Sequence, residues 1–147
     1  MSSPYRMLGL NLAASLIVMY LVMFSMIDGL RDFYNNLNTF YMAVTMVAPM
    51  GALMLLTMGS MYRNRRLNLA IHATLAVLFV AAFLATRTQA AIADVQFLRS
   101  MIPHHSGAIL MCREAPLTDP EIRALCGQII ESQQREIAQM KAILSRY

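Results

Sequence analysis

The sequence predicts an all-α membrane protein with three transmembrane helices followed by an exported antiparallel helical hairpin. The chain has 147 residues, of which 58% are hydrophobic, and its mean hydropathy is +0.50. This composition is too apolar for an ordinary soluble domain of that length. The charged residues are concentrated toward the carboxy terminus. We therefore predict a three-span transmembrane region over residues 1–88 and a helical hairpin over residues 89–147.

The transmembrane helices are predicted from three uncharged apolar stretches, at residues 8–27, 40–58 and 67–85. Each is close to the roughly 20 residues that a helix needs to cross the hydrocarbon core of a bilayer. The first stretch follows Arg6, as the apolar part of a signal peptide would. It is long for such a segment, however, and residues 26–30 contain no cleavage site with small residues. We interpret it as an uncleaved anchor.

The distribution of charge predicts the orientation of these helices. Six arginines and two aspartates precede residue 94, whereas the later residues carry six basic and six acidic side chains. Arg6 and the cluster Arg63, Arg65 and Arg66 flank ends of spans on one side, which the positive-inside rule places in the cytoplasm. The hairpin is then periplasmic, on an anchor surrounded by the lipid of the inner (cytoplasmic) membrane. The chain has no basic-aromatic face or base-reading motif, so no nucleic-acid partner is expected.

Breaker residues suggest where the first helix of the hairpin begins and ends. No breaker follows Leu67 as far as Ala93, so the third span is expected to continue unbroken into the exported part. Pro103 is expected to end or kink the helix near Met101 and Ile102. This would free backbone carbonyl groups just before a pair of histidines.

A second exported helix is predicted from Pro120 to about Arg146. Thr118 or Asp119 can act as its N-cap, and proline is favoured at the first helical position. Its apolar residues recur with the helical period. Two helices alone bury too little apolar surface to be stable. We therefore expect the hairpin to pair with a second copy of the chain, to bind a partner membrane protein, or to lean on the membrane region.

Imidazole, thioether and thiol groups are concentrated between residues 101 and 112 at helical spacing. Side chains three and four residues apart share a helix face, and this mixture of ligands suits Cu(I) better than a hard cation. The predicted metal ligands are His104, His105, Met101 and Met111, with Cys112, Cys126 and Met140 as further candidates. Alternatively, one histidine of the pair lies on a solvated helix surface. Zinc is less favoured because the segment lacks a Cys/His tetrad with the usual short spacings.

The two cysteines, Cys112 and Cys126, both lie in the segment predicted to be exported. An oxidising compartment permits a disulfide between them, which would contribute about 3 kcal/mol by loop-closure entropy. The alternatives are a pair of Cu(I) thiolates, or a redox pair that releases metal on oxidation. Their spacing alone does not choose among these. There is no Cys-x-x-Cys motif to indicate an oxidoreductase.

Residues 94–147 resemble the "domain of unknown function 305" family, whose hallmark is a His-His pair followed by a small residue and a methionine. The matching residues are Met101, Pro103, His104, His105, Ala108 and Met111, then Ile129, Ile130, Gln133, Glu136, Ile137 and Met140. The resemblance implies a ferritin-like helical bundle that binds copper outside the cytoplasm and contributes to copper tolerance. The typical family pattern has alanine-like residues where this chain has Cys112 and Cys126.

We expect a membrane-anchored periplasmic protein that binds Cu(I) for sequestration or delivery. No enzyme is expected, because the sequence has no nucleophile–base–acid set and no cofactor motif. The alternative is an accessory or structural subunit of a larger membrane complex. A methionine stripe in the second span could pass Cu(I), but packing is the favoured interpretation because methionine commonly fills gaps between helices. The stripe consists of Met42, Met46, Met50, Met54 and Met58.

Overall fold

The computed structural model describes residues 4–147, which contain five α-helices and no β-strand. In chain order these are α1 (Pro4–Val22), α2 (Leu37–Thr57), α3 (Arg65–Thr88), α4 (Asp94–Glu114) and α5 (Pro120–Leu144). Two short 3₁₀ helices, Met23–Met26 and Leu30–Asp32, lie between α1 and α2. The prediction of an all-helical protein is confirmed.

Three helical segments are long and apolar enough to cross a membrane: Pro4–Met26, Leu37–Thr57 and Arg65–Thr88. They agree within a few residues with the three stretches predicted from the sequence. Many of their apolar side chains point outward; Leu69 and Val77, for example, are 73% and 67% exposed. A soluble protein rarely leaves such large apolar patches in water. This is the surface composition expected of helices surrounded by lipid.

The first of two compact units contains residues 4–22 together with Asn38–Ala90. Its buried core consists of Leu8, Ala48, Leu55, Tyr62 and Leu75. Gly51 of α2 faces the side chains of Leu12 on α1 and Leu75 on α3. A Cβ atom there would be 2.9 Å from Leu12 Cδ2 and 3.1 Å from Leu75 Cδ1. A side chain at this position would therefore require the two leucine side chains to move.

The methionine stripe of α2 winds from this core to the surface. Met54 packs against the core cluster. Met42 and Met46, by contrast, are 43% and 49% exposed. Packing within the unit thus accounts for the position of Met54. It does not account for Met42 and Met46, which are exposed.

The second compact unit joins Met23–Leu37 to Ala91–Tyr147. We call residues 23–37 the connecting segment, because they link α1 to α2. Helices α4 and α5 share a core of Leu98, Ile102, Ile109, Ile137 and Met140, against which Tyr34 of the connecting segment packs. The carboxy-terminal helices therefore fold together with a part of the chain that precedes them by more than fifty residues.

The prediction that α3 continues unbroken beyond Ala85 into the exported part is wrong. Helix α3 ends at Thr88, and Gln89 and Ala91 adopt left-handed backbone conformations with φ of 53° and 58°. Such conformations are unfavourable for residues other than glycine. The Gln89 side chain stabilises the helix end by donating to the Thr86 carbonyl at 2.7 Å. Helix α4 then begins as a separate element.

Of the two expectations for Pro103, a helix end or a kink, the first is wrong, because α4 continues through this residue. Proline removes one backbone hydrogen bond within a helix. The neighbouring residues Ile102 and Ser106 are both 0% exposed. Their burial against the rest of the unit supplies the stabilisation that offsets the missing bond.

The predicted start of the last helix is confirmed. Asp119 is the N-cap, and its carboxylate accepts from the backbone N–H groups of Glu121 at 2.8 Å and Ile122 at 3.1 Å. Pro120 occupies the first helical position, where its missing N–H group costs nothing. The helix ends at Leu144, slightly before the predicted end.

Candidate functional site

Two residues of the predicted ligand set lie on one face of α4, toward α5. Met101 and His105 are four residues apart and so share a helix face. Met101 packs against the core cluster that contains Met140. Nδ1 of His105 lies 3.3 Å from Oε2 of Glu136, which is four residues before Met140 on α5. Met101 and Met140 therefore both belong to the region where α4 and α5 pack together, and the His105 imidazole lies beside Glu136 of α5.

The side chain of His105 is largely buried, with 13% of its surface exposed. Burial lowers the pKa of His105 below its ordinary value of 6.5, the nearby Glu136 opposes this shift, and His104 adds to it. At neutral pH the imidazole is therefore mainly uncharged. The uncharged ring is the form that binds metal ions.

Nδ1 of His105 is buried and makes no hydrogen bond, although Glu136 is close. The two atoms are 3.3 Å apart but do not form a hydrogen bond. Glu136 is itself held in place, since its Oε1 accepts from Ser132 Oγ at 2.9 Å. A buried polar atom without a partner is costly. A metal ion bound by the imidazole would supply that partner, or would align Nδ1–H with Glu136 if Nε2 bound the metal.

His104 has different surroundings from its neighbour. Its residue is exposed, whereas His105 is half-buried as a whole. The two ring centroids are 6.2 Å apart and the ring planes are inclined by 62°. Adjacent helical residues point about 100° apart. His104 consequently lies at the solvent-facing edge of the candidate site.

The side chains of Met111, Cys112 and Cys126 line one groove elsewhere, where α4 ends and α5 begins. Cys112 and Cys126 form a disulfide with a Cα–Cα distance of 5.3 Å. A disulfide carries no thiolate, so in this state neither cysteine is a thiolate ligand. Met111 is 58% exposed. The seven predicted ligands thus fall into two groups, one around His105 and one around the disulfide.

Harder ligands do not form a cluster around His105. Within residues 4–147, no three His, Cys, Asp or Glu side chains are grouped so that they could hold a metal ion. A metal ion at His105 would therefore depend on the thioethers of Met101 and Met140. Thioether and imidazole ligands together suit Cu(I) better than Mg²⁺ or Ca²⁺.

A buried polar cluster adjoins the candidate site. Asp32 of the connecting segment is 6% exposed, and its Oδ2 accepts from Ser106 Oγ at 2.6 Å. Its Oδ1 lies 2.5 Å from Nζ of Lys141 on α5. Ser106 Oγ also accepts from the backbone N–H of Asp28 at 2.8 Å. Because Ser106 follows His105 directly, the connecting segment is attached to both helices beside the candidate ligands.

Further contacts attach the connecting segment to α4. Nη1 of Arg113 donates to both carboxylate oxygens of Asp28, at 2.8 and 2.7 Å. The Leu37 N–H donates to Gln96 Oε1 at 3.0 Å. At Gly107, an added Cβ atom would be 3.3 Å from the carbonyl oxygen of Met26. The absence of a side chain at this position lets the segment lie directly on the helix.

Helical periodicity missed this polar cluster. From the pattern of charges alone, Lys141 would be placed on a solvated face of α5. In the structure its side chain is only 28% exposed and is paired with Asp32. One signal was available in the sequence. Ser106 falls on the same helix face as Ile102 and Ile109, and a lone hydroxyl on an apolar face indicates a buried partner.

Comparisons with known proteins extend the resemblance noted in the sequence. The family described as Domain of unknown function (DUF305) matches residues 55–144, so the match also includes α3 and the last residues of α2. A protein of Acanthamoeba polyphaga mimivirus, described as uncharacterized, is 40% identical over 119 residues, which cover 80% of this chain and 76% of the viral protein. No solved structure matches the chain. By the extent of the family match, this chain is a member of the DUF305 family.

Proposed function

We propose that this chain is a membrane-anchored periplasmic protein that binds copper as Cu(I), for sequestration or delivery. One observation carries the proposal. The largely buried, mainly uncharged imidazole of His105 lies beside Glu136 of α5, four residues from Met101, which packs against the core that contains Met140. Such a set of soft ligands favours Cu(I) over hard cations. The resemblance of the His-His-Met segment to its family implies the same metal.

The ligands have different roles in this proposal. Met101, His105 and Met140 bind the ion within the helix pair. His104 is a further ligand at the solvent-facing edge, where an ion arrives and leaves. Glu136 orients the His105 ring, as carboxylates beside metal-binding histidines commonly do.

In the same proposal, α4 and α5 form an exported antiparallel hairpin on a three-span anchor in the cytoplasmic membrane. Two contacts support an antiparallel arrangement. The Cys112–Cys126 disulfide joins the last turn of α4 to the first turns of α5. At the other end, Tyr147 Oη donates to Oδ2 of Asp94 at 3.4 Å. The disulfide also fits an oxidising compartment.

The test is a titration of the full chain, purified in detergent and stripped of metal, with Cu(I) against a chromogenic competing chelator. Met101→Leu combined with Met140→Leu removes two thioethers while nearly conserving volume. Met50→Leu combined with Met54→Leu is the matched control in α2. Loss of a group that supports a metal ligand typically lowers metal affinity roughly 10- to 100-fold. We expect the Met101→Leu, Met140→Leu variant to lower the affinity for Cu(I) by more than this. His105→Ala should have a similar effect, whereas the control pair should not.

The proposal fails if the two methionine pairs and His105→Ala all titrate like the parent chain. A docking role in a larger membrane complex would then be favoured. The observation behind this second candidate is the set of exposed apolar side chains near the turn between α4 and α5. Met111, Ile122 and Leu125 are 58%, 47% and 53% exposed. A docking role predicts that the chain is recovered in a larger assembly after cross-linking in its membrane.

A further inference from the structure

A sulfur-containing groove of about 530 Å³ lies where α4 ends and α5 begins. Its walls include Leu110, Met111, Cys112, Leu117, Ile122 and Cys126. We propose that reduction of the Cys112–Cys126 disulfide turns this groove into a second Cu(I) site, with two thiolates and the Met111 thioether as ligands. This site goes beyond the proposed function and shares with it only the metal.

The groove is separate from the site around His105. Cys112 follows His105 by seven residues, which is about 10 Å along the helix axis. Metal–ligand bonds of these residue types are only about 2.0–2.3 Å long. An ion held by both cysteines at the groove is therefore a different ion from one held by His105.

The redox step is a thiol–disulfide exchange with a dithiol reductant. The bond between the two cysteine sulfurs breaks, both sulfurs become thiols, and the reductant leaves as its own disulfide. Two electrons and two protons are transferred in total. Binding of Cu(I) then releases the thiol protons, because the thiolate is the form that binds metal.

The disulfide is accessible from solvent, and the residues around it should keep the groove in place after reduction. Met111 is 58% exposed and both cysteines are half-buried, so a reductant and a metal ion can approach through the open groove. The groove should persist after reduction, because Leu98, Ile102, Ile109, Ile137 and Met140 hold α4 against α5 independently of the disulfide. The Asp119 cap and a hydrogen bond from the Ala115 N–H to the Met111 carbonyl, at 3.1 Å, hold the turn. The two thiols therefore stay close, starting from a Cα–Cα distance of 5.3 Å.

The experiment compares the oxidised and reduced forms of the full chain in detergent. The oxidised form is used as purified, and the reduced form is treated with dithiothreitol and desalted without oxygen. Free thiols are counted in each, and Cu(I) is titrated against the chromogenic chelator. We expect the reduced form to bind one more Cu(I) per chain. Cys112→Ser combined with Cys126→Ser should abolish this difference, as should alkylation of the reduced parent chain.

Met111 is tested by comparing two exposed methionines. Met111→Leu should weaken the additional site by about tenfold or more, the effect of losing a group that supports a metal. Met61→Leu, at a methionine that is 49% exposed in another part of the chain, should leave it unchanged. Equal copper binding by the oxidised and reduced forms would overturn the proposal. So would an additional copper that survives both the serine variant and alkylation.

The two copper proposals can fail independently of each other. Copper bound by the oxidised chain and lost in His105→Ala reports only on the site around His105. Copper gained on reduction and lost in the serine variant reports only on the groove. A chain that binds copper only when reduced would retain the groove and refute the proposed function.

Discussion

Replacing Asp32 with alanine tests whether a buried charge pair holds the connecting segment on α4 and α5. The substitution removes the acceptor of the Ser106 hydroxyl, at 2.6 Å, and the counter-charge of Lys141, at 2.5 Å. Ser106 is fully buried, and Asp32 itself is 6% exposed. The aspartate side chain contacts both of the others. Its loss should therefore detach the segment locally, while the apolar core between the helices stays intact.

The size of the effect follows from the exposure of the partners. Removing one member of a buried ion pair typically costs about 3–5 kcal/mol. The Lys141 side chain is 28% exposed, so its ammonium group regains part of its hydration, and Ser106 still accepts from the Asp28 N–H. We therefore expect a cost of about 2–3 kcal/mol for opening of the segment. A free-energy change of 1.4 kcal/mol corresponds to about a tenfold change in an equilibrium constant. The equilibrium constant for local opening should therefore rise about 30- to 150-fold.

Hydrogen exchange followed by mass spectrometry measures this opening directly. The informative peptide covers residues 23–37, where the Asp28 amide donates to Ser106 Oγ. The matched control is Asp28→Ala, which removes the bonds from Arg113 but leaves that amide in place. In this pair the Arg113 and Asp28 side chains are 42% and 24% exposed. Partly exposed ion pairs contribute only about 0–1 kcal/mol. Asp28→Ala should therefore raise the exchange of this peptide by less than about fivefold.

A double substitution separates charge from packing. Asp32→Asn leaves the Lys141 charge unpaired, whereas Asp32→Asn combined with Lys141→Met removes both charges. The double variant should be less destabilised than the sum of the two single variants, because it leaves no unpaired buried charge. Unchanged exchange of residues 23–37 in Asp32→Ala would refute the reasoning. An equal effect of Asp28→Ala would refute it too, since the burial of Asp32 would then be irrelevant.

Three further predictions concern protonation, topology and assembly. In the metal-free protein, the NMR titration of the His105 imidazole should give a pKa below 6.5. Glu136→Gln should lower it further, because the carboxylate favours the charged ring, and a rise on this substitution would contradict the assignment. In intact cells, a cysteine introduced as Ser145→Cys should react with an impermeant thiol reagent, whereas Ser60→Cys should react only after permeabilisation. The opposite pattern would overturn the proposed compartment. Ile129→Glu should dissociate an oligomer that buries this half-exposed residue of α5, as measured by mass in mild detergent, without affecting membrane insertion. An unchanged mass would show that the residue lies outside any subunit interface.

The elements that could be predicted are those specified by neighbouring residues. Asp119 and Pro120 start α5 in the structure as their local preferences indicate. The apolar stretches agree with the membrane-length helices because length and hydropathy are also local quantities. The break after Thr88 could not be predicted in this way, since the left-handed residues are Gln89 and Ala91 rather than glycines. Their conformation depends on the surrounding structure and not on intrinsic preference.

The candidate site was predictable only in part, for a related reason. The helical period places Met101 and His105 on one face of α4. Met140 of α5 was among the predicted ligands and lies in the core against which Met101 packs, and Glu136 of α5 lies beside His105. The period does not reveal that Asp32 contacts residues 74 and 109 positions further along the chain. Pairings over such distances depend on how the helices assemble. For the cysteines, the spacing permitted a disulfide, and the structure contains it.

The position of the connecting segment constrains membrane topology independently of charge. Through Asp28 and Asp32, the segment contacts α4 and α5, so both parts of the chain must lie on the same side of a membrane. The number of membrane crossings between them would therefore have to be even. This condition is met if α2 and α3, which are both long and apolar enough to span a membrane, each cross once. If α1 also crosses, the amino terminus lies on the opposite side, as the proposed three-span topology requires. Packing thus supports the relative placement in the proposed topology, in which the arginine distribution is the argument for which side is cytoplasmic. The disulfide adds a third, chemically independent argument, because an oxidising compartment favours its persistence on the side of α4 and α5.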